Sequence, residues 1–235
     1  MNILKKIYNR GMLLWAKTSG ENYENFLRKK GVKIGKRVTW CKASTLDIDY
    51  SRPLLVEIGN DVKINAHVSI MTHDGTTTVF RNLYQDFLPS SGAVIIGNNC
   101  YIGRYTTILK GVTIGDNCII GYGSLVTHSI PANCVAAGRP AKVICSIDEY
   151  YEKRKKDALE EAFAYARRIV DLTGKRPTME QMYEEFPFYL DGDKPDPGLK
   201  ISVAYQTRGI NEHWKSHHKA PFASFDDFLK AAGID

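Results

Sequence analysis

Residues 96–131 read IGNNCY IGRYTT ILKGVT IGDNCI IGYGSL VTHSIP, six consecutive units of six residues that each begin with Ile or Val. A six-residue unit is too short for a helix and a turn, but it suits a short strand followed by a sharp corner. Three such units close one 18-residue triangular coil. The repeat therefore predicts a parallel β-helix that runs from Ile34 to about Ile130.

The interior of this coil follows from the same spacing. We expect each leading aliphatic residue to point inward and to stack on its equivalent 18 residues away, as Ile96 on Ile114 and Ile102 on Ile120. Strands about 4.8 Å apart then bury a continuous apolar column. The fifth position of a unit is small or β-branched, and we expect its cysteines to act as apolar fillers rather than as a disulfide or a nucleophile. These fifth-position residues are Cys100, Thr106, Val112, Cys118 and Ser124.

An earlier series of units is weaker. Its units begin at positions 34, 40, 46, 58, 64 and 70, and Arg52 interrupts the pattern, so we expect an irregular coil near residues 47–57. Ile70 and Ile96 are 26 residues apart, two more than a multiple of six. A projecting loop over residues 71–93 must therefore leave the coil, and a loop on a rigid scaffold is a common place for functional residues.

The two ends of the chain have a different pattern. Residues 1–30 read as one or two basic amphipathic helices, broken near Gly20, that cap the open end of a β-helix domain over residues 31–145. Contact of this basic segment with a membrane surface is a less favoured alternative. Residues 146–235 are predicted to form a helical C-terminal extension.

Helix signals divide this extension. A long helical pattern after residue 146 ends at Thr173-Gly174, and a second helix is predicted to open at Pro177-Thr178. Ser224 and Asp227 have the spacing of a capping box for a last helix.

Composition limits the classes of function. The chain has 32 basic and 26 acidic residues, a net charge of +6 that suits an anionic ligand, and it contains no long Lys/Arg block that would indicate a nucleic-acid partner. Five scattered cysteines without a CxxC pair favour a reducing compartment. No apolar run reaches the ~20 residues of a membrane span, and the N-terminal segment does not resemble a signal peptide, so we expect a cytoplasmic protein.

The hexads, the histidine-bearing loop and the segment IGYGSLVTHSIPANCVAAGRPAKVI over residues 120–144 resemble the hexapeptide-repeat acyltransferases. The sequence is most similar to the sugar O-acetyltransferase branch, which includes galactoside, maltose and capsule acetyltransferases. The match covers about residues 30–145. It implies a left-handed coil, a hand that strand-crossover rules alone would not give. It also implies a homotrimer with active sites between neighbouring copies, acetyl-coenzyme A as the donor and a sugar or glycan as the acceptor.

The resemblance implies that His73, in MTHDG, is the catalytic general base. A hydroxyl group is a poor nucleophile at neutral pH, and a neutral imidazole can remove its proton as the oxygen attacks a thioester. No acyl-enzyme intermediate is needed.

The coenzyme-binding residues are carried over from the same resemblance. Tyr101 stands where relatives often have Trp, Thr127 lies in the VT pair, and His128 replaces a common lysine, which weakens the expected phosphate contact. The positively charged candidates would pair with phosphate oxygens. The full set is Tyr101, Arg104, Tyr122, Thr127, His128, Arg139 and Lys142.

Candidates for acceptor binding lie in the irregular coil and the loop. They are Asp47, Asp49 and Asp74, with Tyr84 as a stacking surface. Asp74 is also a candidate for orienting His73, although adjacent residues seldom hydrogen-bond in that way.

Two other functions stay open. The acceptor could be the amine of an amino sugar or an antibiotic, because acidic residues suit a cationic acceptor. The chain could instead be a non-catalytic or zinc-binding β-helix, for which His67 and His73 would be ligands, but a third ligand is missing. The second histidine cluster does not have the spacing of a known zinc-binding motif, and we interpret it as an aromatic patch or subunit contact. It consists of His213, Trp214, His217 and His218. No metal is therefore expected.

Overall fold

The computed structural model describes residues 3–235, with side chains from Arg10 onward. The chain divides into two compact units, one ending at Tyr151 and the other beginning at Glu152. Strands of the first unit form three sheets, here called A, B and C in the order in which the chain visits them. Sheet A has the order β1-β4-β7-β10, sheet B β14-β13-β11-β8-β5-β2, and sheet C β12-β9-β6-β3.

The strands are β1 (Lys33–Ile34), β2 (Thr39–Trp40), β3 (Asp47–Ile48), β4 (Val56–Ile58), β5 (Lys63–Ile64), β6 (Ser69–Ile70), β7 (Val94–Ile96), β8 (Tyr101–Ile102), β9 (Thr107–Ile108), β10 (Thr113–Ile114), β11 (Ile119–Ile120), β12 (Leu125–Val126), β13 (Cys134–Gly138) and β14 (Ala141–Ser146). The helices are α1 (Ile3–Ala16), α2 (Gly20–Lys30), α3 (Thr77–Tyr84), α4 (Ile147–Thr173), α5 (Val203–Gln206), α6 (Asn211–His217) and α7 (Phe225–Ala231).

The predicted 18-residue coil is confirmed by strand pairing. Ile96 pairs with Ile114 and Ile102 with Ile120, both in parallel register. These residues are buried, as are the five fifth-position residues named above. The column is a parallel β-helix core, and its pairs are parallel except where β13 meets β14 in an antiparallel pair.

The loop predicted from the phase slip is also present. Ile58 pairs with Ile96, 38 residues away, where a regular coil would need 18. Twenty extra residues therefore leave the coil between β6 and β7. They include the short helix α3, which the polar sequence did not predict and which has no buried residue.

The first coil departs from the expected hexads. Its strand in sheet C pairs through Ile48 with Ile70, so the expected leading position 46 is wrong by two residues. A 3-10 turn at Ala43–Thr45 occupies the extra length, and a second one at Pro53–Leu55 carries the chain on to sheet A. Leu46 is nevertheless buried, because both residues reach the interior.

The α1 and α2 helices are separated near Gly20, as predicted. Ser19 caps α2 by accepting a hydrogen bond from the Asn22 amide. Tyr23 of α2 is buried in the same apolar core as the first coil, with its ring edge-on to Trp40 at 5.7 Å between centroids.

The second unit has its own aromatic core. The α4 helix ends at Thr173, and Ser224 caps α7 by accepting the Asp227 amide hydrogen at 3.1 Å, both as predicted. The prediction of a helix from Thr178 is wrong: turns occupy residues 179–184, and a 3-10 helix follows at Phe186–Phe188. The Met182 and Tyr183 carbonyl oxygens accept hydrogen bonds from the Tyr189 and Gln206 side chains instead of from a helix backbone. Within residues 3–235, no helix combines the length and apolar character needed to cross a bilayer.

Candidate active site

His73 and Asp49 meet at one end of sheet C. Asp49 directly follows β3, whereas His73 lies three residues beyond the end of β6, and the two strands pair through Ile48 and Ile70. His73 Nδ1 is 2.6 Å from Asp49 Oδ2. The pairing brings together an acid and a base that are 24 residues apart in the sequence.

Both oxygens of the Asp49 carboxylate accept several hydrogen bonds. Ser51 donates its hydroxyl at 2.6 Å and its amide at 2.9 Å to one oxygen, and the Thr72 hydroxyl and amide donate to the other. Burial alone would raise the pKa of Asp49, but the hydrogen bonds from Ser51, Thr72 and His73 outweigh it and hold the pKa well below its usual range.

This environment assigns the tautomer of His73. A carboxylate that stays ionised can only accept, so Nδ1 of His73 must carry the proton that lies between them. The other ring nitrogen, Nε2, then keeps its lone pair when the ring is neutral. An imidazole held in this way is suited to act as a general base.

The dyad lines a cavity of about 370 Å³, within the size range of small-ligand sites. Its walls are both acidic and apolar. The lining residues are Asp47, Ile48, Asp49, Tyr50, Ser51, Ile70, Met71, His73, Asp74 and Gly75. Three of the four predicted acceptor-binding residues therefore share one cavity with the predicted base.

The three aspartates differ in their partners. Asp74 binds Lys110 at 2.6 Å and accepts from Ser90 and Thr76, so Asp49 and not Asp74 orients His73. The hydrogen bond from Lys110 makes the largest contribution to holding the pKa of Asp74 well below its usual range. Asp47 forms no hydrogen bond or ion pair with another side chain in the described part of the chain.

Tyr84, the fourth acceptor candidate, lies elsewhere on the loop. It is the last residue of α3, is exposed, and contacts the Phe80 ring at 6.4 Å between centroids. It does not line the cavity.

The predicted coenzyme residues occupy three places. Thr127 and His128 follow β12, so they lie at the same carboxyl-terminal end of the sheet C strands as His73. The β12 strand is two strands further along the coil than β6, a separation of about 10 Å. A second group lies at the corner between sheets B and C. It consists of Arg104, Tyr122 and Arg139. The remaining two, Tyr101 and Lys142, are exposed on strands of sheet B.

An aromatic stack at the corner between sheets B and C was not predicted. His67 lies parallel to Tyr105 at 4.4 Å between ring centroids, and Tyr105 contacts Tyr122 at 5.4 Å. The signal in the sequence was present, since His67 and Tyr105 both hold the fourth position of their hexads.

The histidine cluster of the second unit is a set of ring contacts. His213 stacks on His217, Trp214 stacks on His218, and Trp214 packs edge-on to Phe186. Across residues 3–235, no group of three or more His, Cys, Asp or Glu side chains is arranged to hold a metal ion.

Known proteins resemble part of this chain. A family model described as bacterial transferase hexapeptide (six repeats) matches residues 93–128. Protein CapG of Staphylococcus aureus is 41% identical over 132 residues, which cover 55% of this chain and 74% of that protein. Galactoside O-acetyltransferase of Escherichia coli (strain K12) is 43% identical over 104 residues, 42% of this chain and 49% of the enzyme. The crystal structure of a maltose O-acetyltransferase from Clostridium difficile 630 has 25% identity, covers 59% of this chain and 84% of that one, and has a TM-score of 0.42.

Proposed function

The chain belongs to the bacterial hexapeptide-repeat transferases, and on that premise we propose that it transfers an acetyl group from acetyl-coenzyme A to a hydroxyl group of a sugar or polysaccharide precursor. The observation that carries the proposal is the His73–Asp49 pair at 2.6 Å in the wall of a cavity with acidic and apolar residues. The similarity to a galactoside O-acetyltransferase supports a sugar as the acceptor.

The reaction needs one base and no covalent enzyme intermediate. His73 Nε2 takes the hydroxyl proton while the acceptor oxygen forms a bond to the thioester carbonyl carbon. The tetrahedral intermediate then breaks its C–S bond, and the leaving thiolate takes the proton back from the imidazolium. Asp49 stabilises that imidazolium through Nδ1, as a carboxylate does in a catalytic triad.

We further propose a left-handed coil that assembles as a homotrimer. In one copy, His73 lies at the carboxyl-terminal end of the sheet C strands, and the arginine candidates lie at the corner between sheets B and C. A coenzyme that uses both sets is best accommodated in a cleft between two copies, with Arg104 and Arg139 of one copy facing His73 of the next.

A second acceptor class has one observation in its favour. Asp47 lines the cavity, and in the described part of the chain its carboxylate is not engaged by another side chain. An ammonium group would find a counter-charge there, so an amino sugar is the alternative acceptor. A thiol-release assay with matched neutral and amino sugars separates the two.

The test of the function is His73→Ala. We expect a loss of roughly 10²–10⁴-fold in kcat, the usual contribution of a general base. His213→Ala, which removes an exposed histidine of the second unit, is the matched control and should keep wild-type turnover. Acetyl transfer by His73→Ala at the wild-type rate would refute the assignment.

A further inference from the structure

The loop over residues 71–93 is tied together where it leaves and rejoins the coil. The amide of Gly92 donates to the Thr72 carbonyl oxygen at 2.9 Å, and His73 forms an antiparallel bridge with Ser91. We call Thr72–Asp74 and Ser90–Gly92 the loop root. The candidate base is therefore part of the root and shares its position.

A side-chain cluster fastens this root to the next coil. Lys110 lies two residues beyond the end of β9, and its ammonium group lies 2.6 Å from Asp74 Oδ2. It also contacts the Ser90 hydroxyl, which itself donates to Asp74 Oδ2 at 2.8 Å. One cation thus joins the outgoing limb, the returning limb and the coil.

The backbone leaves little freedom at the same point. A Cβ added to Gly92 would lie 2.7 Å from the Gly111 amide nitrogen, so the returning limb packs directly on the residue after Lys110. Beyond the root, α3 has no buried residue and Val79, Leu83 and Phe87 are exposed. The attachment of the loop within one copy is therefore concentrated at the root.

We propose that Lys110 is a positioning residue for acetyl transfer, which sets the place of His73 by tying the loop root to the coil through Asp74 and Ser90. The inference rests on the proposed function. The Lys110 ammonium group contacts Asp74 on the outgoing limb and Ser90 on the returning limb, next to the His73–Ser91 bridge. Without Lys110, both limbs lose this side-chain tie to the coil, and His73 is held less closely in place.

Lys110→Met is the first variant, measured in the full chain. We expect kcat/KM for the acceptor to fall roughly 10- to 100-fold, in the range that a small misplacement of a catalytic group produces. The KM for acetyl-coenzyme A should stay the same. Lys110→Arg, which keeps the cation, should restore most of the activity.

The unchanged KM for acetyl-coenzyme A and the rescue by Lys110→Arg distinguish positioning from a folding defect. Lys33→Met is the matched control, because it removes another 2.6 Å ion pair, Lys33–Glu57, on sheet A. It should match the wild type.

The outcomes are separable from those of the main proposal. If Lys110→Met has the kinetics of Lys33→Met while His73→Ala is inactive, the positioning role is wrong and the proposed function stands. If His73→Ala is active, the function itself fails. Should Lys110→Met not fold, Ser90→Ala decides: lower kcat/KM supports the role, and wild-type kinetics overturns it.

Discussion

The regular coils of residues 93–131 and the irregular stretch of residues 43–92 belong to the same three sheets and share one buried column. In the regular part each strand follows the last after six residues. In the irregular part, 3-10 turns and a 20-residue insertion change that spacing. The whole lining of the candidate cavity comes from the irregular part.

A strict repeat explains this difference. It can place an outward residue next to the same residue type on the neighbouring coils, as in the ladder in which Asn99 donates to Asn117 and Asn117 to Asn133. Such ladders satisfy hydrogen bonds among themselves. A change of spacing instead juxtaposes unlike residues, and so it brings Asp49 against His73.

The largest effect that tests this comparison is expected from Asp49→Asn. The amide can donate to Nδ1 and so favour the wrong tautomer of His73, and the comparable change in a Ser-His-Asp triad costs ~10⁴-fold in kcat. We expect a loss between about 10-fold and that limit, measured as thiol release. Asp226→Asn, on α7, is the control. An Asp49→Asn variant with wild-type kcat would show that the irregular coil does not orient the base.

The repeat allowed most of the first unit to be predicted. Six hexads in one phase gave the strands and the column from Ile96 onward, and the phase slip gave the place of the loop and, with the family resemblance, His73. These features follow from the spacing of aliphatic residues along the chain, which can be read from the sequence alone.

The partners within the site could not be predicted in the same way. Which aspartate reaches His73 depends on how much length the turn at Ala43–Thr45 absorbs, and that turn moved the sheet C residue from position 46 to Ile48. Lys110 meets Asp74 only because the loop root folds back on β9. Both contacts depend on tertiary packing rather than on local pattern.

A smaller effect, on stability alone, is expected in the regular coils. Ile96 is buried and Ile95, its neighbour on β7, is 36% exposed, so the two make a matched pair. Ile96→Ala should lower the free energy of unfolding by about 2–5 kcal/mol, because it leaves a cavity in the column. Ile95→Ala should cost less than ~1 kcal/mol. Equal losses in urea unfolding would mean that the column is not the main source of stability.

The smallest expected effect is a dependence of the unfolding free energy on acidic pH, and it comes from Asp49 in the irregular part. The pKa of Asp49 is lower in the folded chain than its usual value near 3.9, so its ionised form stabilises the fold above that pH, and this contribution is lost as the pH falls further. The difference in unfolding free energy between wild type and Asp49→Asn should therefore shrink as the pH falls from about 5 to 3. A difference that stays constant down to pH 3 would mean that the hydrogen bonds from Ser51 and Thr72 do not favour the carboxylate, and the tautomer assigned to His73 would lose its basis.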